Sequence, residues 1–143
     1  MDIHINYLAV LAAAAAYFMA GWVWYTLIFG KIWTKLMGFD KMSKKESEAM
    51  KKKMGPSMAF NFLATLLAAY CMAWSVASGA GFYHVSGVVL GLQTGFWIWL
   101  GFIVTSQLNS VIWDGKPFKL YLINIGYYLV SYLLVGTILA VWQ

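Results

Sequence analysis

Three stretches of this chain hold no Asp, Glu, Lys or Arg: Ile3 to Gly30, Met54 to Trp113 and Leu120 to Gln143. Crossing the hydrocarbon of a bilayer takes about 20 mostly apolar residues, so the middle stretch has room for two helices and each of the others for one. Backbone N–H and C=O groups in lipid must pair within their own segment, which makes helices the expected form. Only 10% of the residues are charged and 62% are hydrophobic, whereas a soluble domain averages about 25% charged. The expected fold is an all-α integral membrane protein, a four-helix bundle forming a single domain over residues 1–143. Its spans are placed near 6–29, 57–78, 84–112 and 118–142, with a Lys-rich loop over 31–56. A nucleic-acid partner is excluded despite the net charge of +5, because the cations sit in short loops beside membrane segments. The start Met-Asp-Ile-His carries no Lys or Arg, so the first apolar run is expected as a retained span and not a signal peptide.

Lysine placement orients the bundle. Eight of the ten lie between Lys31 and Lys53, and Lys116 and Lys119 lie in the third connection. The positive-inside rule puts both connections in the cytoplasm and both termini outside, as four spans require. The expected location is the prokaryotic cytoplasmic (inner) membrane, multi-pass. Trp33 and Trp113 then fall at the inner interface, and Trp74, Tyr83 and Trp142 near the outer one. Trp22, Trp24, Trp97 and Trp99 lie deeper. Trp97 and Trp99 project about 200° apart on a helix, so at most one of them faces the interior.

The loop reads MSKKESEAMKKKMGP from Met42. Ser43 and Glu46 have the spacing of a capping box, and Gly55-Pro56 reads as the stop of a short interfacial helix. Lys44, Lys45, Lys51, Lys52 and Lys53 would attract anionic lipid headgroups by about 1 kcal/mol each near the surface. The plainer reading, that they only set topology, is preferred.

Projected at about 100° per residue, each span carries one small or polar stripe. On the first, Asn6, Ala13, Tyr17, Gly21 and Trp24 share a face, with Ala12, Ala16 and Ala20 beside it. On the second the stripe is Ser57, Asn61, Ala64, Thr65, Ala68 and Ser75; on the fourth it is Tyr121, Asn124, Tyr128, Ser131 and Val135. On the third, Gly87, Gly91, Thr94, Gly101, Thr105 and Asn109 align, and Gly87, Gly91 and Gly95 repeat every four residues. Such small-xxx-small patterns let backbones approach closely. Asn61, Asn109 and Asn124 should share one depth in the cytoplasmic leaflet, near Tyr25, Thr65, Thr105, Tyr121 and Tyr128. The amides need partners there, because an unsatisfied polar group in hydrocarbon costs several kcal/mol. An interhelical clamp is the preferred reading, and a small polar cavity for a neutral solute the alternative.

No charged side chain lies within a span, which removes the usual ion-coupling acids. No Ser, His and Asp meet at one depth, so hydrolase chemistry has no support. His4, beside Asp2, and His84 read as polar boundary residues; no metal site and no cofactor are expected. Cys71 stands alone in an apolar stretch and is expected buried as a small hydrophobe.

Trp24-Tyr25, Phe29-Gly30-Lys31 and Trp33, then Gly115-Lys116-Pro117, Leu122-Ile123-Asn124 and Gly126-Tyr127, resemble the bacterial and archaeal domain-of-unknown-function 1761 family. The resemblance covers nearly the whole chain. It implies a small four-helix membrane protein and no defined activity. The resemblance leaves function open; the expected function is a non-enzymatic oligomer or accessory subunit of a larger membrane complex that associates through the Gly- and Ala-rich faces, with a small-solute channel or carrier using the Asn61, Asn109 and Asn124 level as the alternative.

Overall fold

The computed structural model describes residues 3–142; Asp2 lies outside them. Every secondary-structure element among the described residues is a helix, and four helices are long and apolar enough to cross a membrane: Tyr7–Ile28, Lys44–Tyr83, Gly87–Ile112 and Phe118–Val141. These are spans 1 to 4. Asn6 starts span 1 by accepting the N–H groups of Leu8 and Ala9 through its Oδ1. Its Nδ2 donates to the Trp142 carbonyl at 3.2 Å, so the two ends of the chain meet at one end of the bundle. A short helix, Gly30–Leu36, and a turn at Phe39–Lys41 follow span 1 at the other, Lys-rich end.

Ser43 and Glu46 form the capping box that opens the 40-residue helix Lys44–Tyr83. The expected stop at Gly55-Pro56 does not occur, and Pro56 lies inside that helix. A proline disfavours helical backbone in the residue before it partly through that residue's Cβ, which Gly55 lacks. The proline removes one backbone hydrogen bond. Residues 51–60 are exposed, so the freed carbonyl is open to water. Loop and second span are consequently one rod.

Spans 1 and 3 each contain a π-helical segment, Val23–Ile28 and Trp99–Val104. A π turn bonds i to i+5 and takes up one residue more than an α turn, so the packed face slips by roughly 100° beyond it. On span 3 the buried residues before the segment are Leu90, Gly91 and Gly95. After it, the half-buried residues are Gln107, Leu108, Ser110 and Val111, while Thr105 and Asn109 are exposed. The stripe drawn with a constant α-helical period therefore does not continue past Trp99.

Span 4 is the hub and is buried along its whole length, from Leu120 to Leu139. At the chain-end half of the bundle all four spans pack together. At the Lys-rich half, span 3 keeps its contacts with span 4, and span 2 has no buried residue before Thr65. The lower halves of spans 2 and 3 thus splay apart around span 4. Cys71 is exposed on the side of span 2 and not buried as expected. Hydrophobic transfer does not drive helices together in lipid, so close backbone contact has to hold the tight half. A Cβ at Gly91 would collide with the Gly136 carbonyl and one at Gly95 with the Tyr132 carbonyl. Gly87 instead opens span 3 at φ +61°, and neither it nor Gly101 has a neighbour within reach of a Cβ.

Candidate functional site

The polar and aromatic side chains of the bundle converge on span 4. Among the described residues, every side-chain hydrogen bond between spans has span 4 as one partner. The Trp24 indole N–H donates to the Ile123 carbonyl at 3.0 Å, and the Trp99 indole N–H to the Ile125 carbonyl at 2.7 Å. Each Trp is the second of a Trp-x-Trp pair and lies in a π segment; its partner, Trp22 or Trp97, is exposed. The first tryptophan of each pair faces out and the second locks span 4, as the 200° separation requires. Trp24 also covers Gly126, where a Cβ would press on its ring.

Tyr25, next along span 1, donates its hydroxyl to Asn124 Oδ1 at 2.9 Å. This brings together two of the residues expected at the polar level. Tyr121 reaches across to the Val104 carbonyl at 3.1 Å, using an acceptor at the end of the second π segment. Around Tyr25 the rings form a ladder. Tyr132, Tyr17, Tyr127, Tyr25, Trp33 and Phe39 follow one another with centroids 5.1–5.9 Å apart, from the middle of the bundle to the Lys-rich end. Tyr128 joins at Tyr127, and Gly21 provides the space in which the Tyr127 hydroxyl lies. Aromatic pairs of this kind contribute about 0.5–1.5 kcal/mol each beyond their burial. Ser131 Oγ is fully buried beside this ladder with no hydrogen-bond partner.

The other expected members of the polar level stand elsewhere. Thr65 is buried but bonds the Asn61 carbonyl of its own helix, and Thr105 bonds the Gly101 carbonyl of its own. Among the described residues the Asn61 and Asn109 side chains make no hydrogen bond, and both are exposed. The three amides therefore form no common clamp: Asn124 is tied to span 1, while Asn61 and Asn109 lie on the splayed halves. On span 1, Ala12, Ala16 and Ala20 are half-buried, and Ala9, Ala13 and Ala14 are the alanines that pack fully. Lys44, Lys45, Lys51, Lys52 and Lys53 are all exposed on the first turns of the long helix.

Sequence reasoning passed over Trp99 as an anchor and missed Tyr17, Tyr127 and Tyr132 as a ladder. The repeated Trp-x-Trp was the available signal for the first. For the second it was the run of tyrosines at 121, 127, 128 and 132 on the span that forms the hub of the bundle. His4 and His84 are exposed, and among the described residues no three His, Cys, Asp or Glu side chains are grouped to hold a metal ion. The Trp24 and Trp99 indoles and the Tyr25 and Tyr121 hydroxyls of the seam are committed to carbonyl or amide partners, and these four groups fix helix positions.

Residues 8–140 match the family described as Protein of unknown function (DUF1761). The chain belongs to that family. No curated protein and no solved structure matches it. The matched region includes both Trp-x-Trp pairs, Tyr25, Asn124 and the whole tyrosine ladder.

Proposed function

We propose that this DUF1761 protein is a non-enzymatic, self-associating component of the prokaryotic cytoplasmic membrane, with its Lys-rich end inside and both termini outside. The orientation is supported by the lysines, which all lie at one end of the bundle, in the two connections there and the first turns of the helices that follow them. The observation that carries the association is the pair of unpartnered amides on the splayed halves. Asn61 on span 2 and Asn109 on span 3 are exposed, in a medium where an amide without a partner costs several kcal/mol. On span 3, Gly101, Thr105 and Asn109 recur every four residues on an open face with nothing packed against Gly101. A second copy brings the complementary amide and hydroxyl in self-complementary fashion, as two-fold dimers do. The glycines of the tight half do not serve this purpose, because Gly91, Gly95 and Gly136 are used up between spans 3 and 4.

The test is the mass of the protein extracted with its lipids into nanodiscs. Dimers or a larger discrete species are expected, converting to monomers in Gly101→Leu and Asn109→Leu with helix content unchanged. Monomeric wild type, or an assembly indifferent to both substitutions, overturns the proposal.

A further inference from the structure

Between the end of span 1 and the long helix lies an open groove of about 1060 Å³. One wall is the last turn of span 1 with the short helix Gly30–Leu36 and the Phe39 turn; the other is the stretch from Met50 to Ser57. The walls have no substantial contact with each other, so the space is a fissure that opens at the level where the apolar spans begin. Its chemistry is divided. Tyr25, Trp33, Phe39, Met50 and Met54 supply an apolar surface, and the Lys31, Lys35 and Lys53 ammonium groups supply charge against the single carboxylate of Asp40. Thr26 and Thr34 also line it, but their hydroxyls already donate to the Trp22 and Gly30 carbonyls. The lysines are left as its free cationic donors.

We infer that this groove is a binding site for one anionic phospholipid, its headgroup phosphate on Lys31, Lys35 and Lys53 and an acyl chain along the Trp33 and Met54 side. Charge complementarity selects an anion over a zwitterion, and the extended apolar lining selects a ligand with a hydrocarbon tail over free phosphate. The volume is at the upper end of the range for small-molecule sites, about 300–1,000 Å³, far more than a phosphate alone fills. The site also discriminates among the lysines. Lys53 belongs to it, whereas Lys44, Lys45 and Lys52 of the same cluster do not line it.

The experiment reconstitutes the protein in vesicles of mixed phosphatidylcholine and phosphatidylglycerol, extracts it gently and counts retained lipids by native mass spectrometry. One phosphatidylglycerol per chain is expected in wild type. The triple substitution Lys31→Gln/Lys35→Gln/Lys53→Gln lowers its retention at least about tenfold, while Lys44→Gln/Lys45→Gln/Lys52→Gln, with the same change in charge, stays within about twofold. Met54→Trp, which fills the apolar side and leaves every lysine in place, lowers retention as well. All the substituted positions are exposed, and unchanged helix content confirms that each variant folds. Equal losses in the two triples, equal retention of phosphatidylcholine, displacement of the lipid by inorganic phosphate, retention unaffected by Met54→Trp, or no retained lipid in wild type each overturns the inference.

Discussion

Replacing Gly91 with Ala tests the tight half of the bundle at its narrowest point. The added Cβ would lie on the Gly136 carbonyl carbon and oxygen and the Thr137 Cα, all backbone, so no side chain can turn away to make room. Spans 3 and 4 have to part, which also stretches the Trp99 bond to the Ile125 carbonyl about two turns along. Overpacking a filled site costs about 1–3 kcal/mol, and weakening one inter-span hydrogen bond adds about 0.6 kcal/mol. The better helix propensity of alanine offsets up to about 1 kcal/mol. A net loss of about 2 kcal/mol is expected. The assay is reversible unfolding in mixed micelles, titrating a denaturing detergent and following tryptophan fluorescence. Gly101→Ala is the paired control, because nothing lies near its Cβ and only the propensity gain remains. If Gly91→Ala is as stable as Gly101→Ala, the backbone contact between spans 3 and 4 does not hold the bundle.

Trp24→Phe and Trp99→Phe should each lose about 0.6–2 kcal/mol in the same titration, while Trp22→Phe and Trp97→Phe, on the exposed side, should change little. Tyr25→Phe leaves the Asn124 amide without its donor and should cost about 1 kcal/mol, whereas Tyr25→Phe with Asn124→Leu should recover most of that, because both polar groups are then gone. Ser131→Ala removes a buried hydroxyl with no partner and should raise stability by about 1 kcal/mol. Pro56→Ala restores a backbone donor inside the long helix, and hydrogen exchange of residues 52–60 should slow relative to wild type.

The four spans, the ends of the first, third and fourth, and the capping box were legible because charge-free runs, lysines and the Ser43–Glu46 spacing are local signals, whereas the second span, expected over 57–78, is part of the longer helix Lys44–Tyr83. The span 1 stripe was legible too: Asn6, Ala13, Tyr17, Gly21 and Trp24 all meet span 4 or the packed core in the structure. What escaped depends on backbone geometry that residue type does not announce. A π segment at Trp99–Val104 slips the phase of span 3, so Thr105 and Asn109 leave the face that Gly91 and Gly95 occupy. Gly55 lets the helix run through Pro56, where a residue with a Cβ would have favoured a break. Gly91 and Gly95 were read as sites of close approach, but their partners, Gly136 and Tyr132, lie on span 4 and only the tertiary packing identifies them. The Asn124 partner was found at the expected Tyr25, whereas Asn61 and Asn109 could be grouped with it only while the spans were taken as straight and parallel.

Cross-linking in native membranes tests the central claim, that the open face of span 3 meets a second copy. With Cys71 replaced by Ala, a cysteine at Thr105 and, separately, one at Leu122, which is exposed on span 4, are oxidised under identical conditions. A dimer band is expected for Thr105→Cys and is lost when Asn109→Leu is added, with little or none for Leu122→Cys. No band at position 105, or equal bands at 105 and 122, contradicts it.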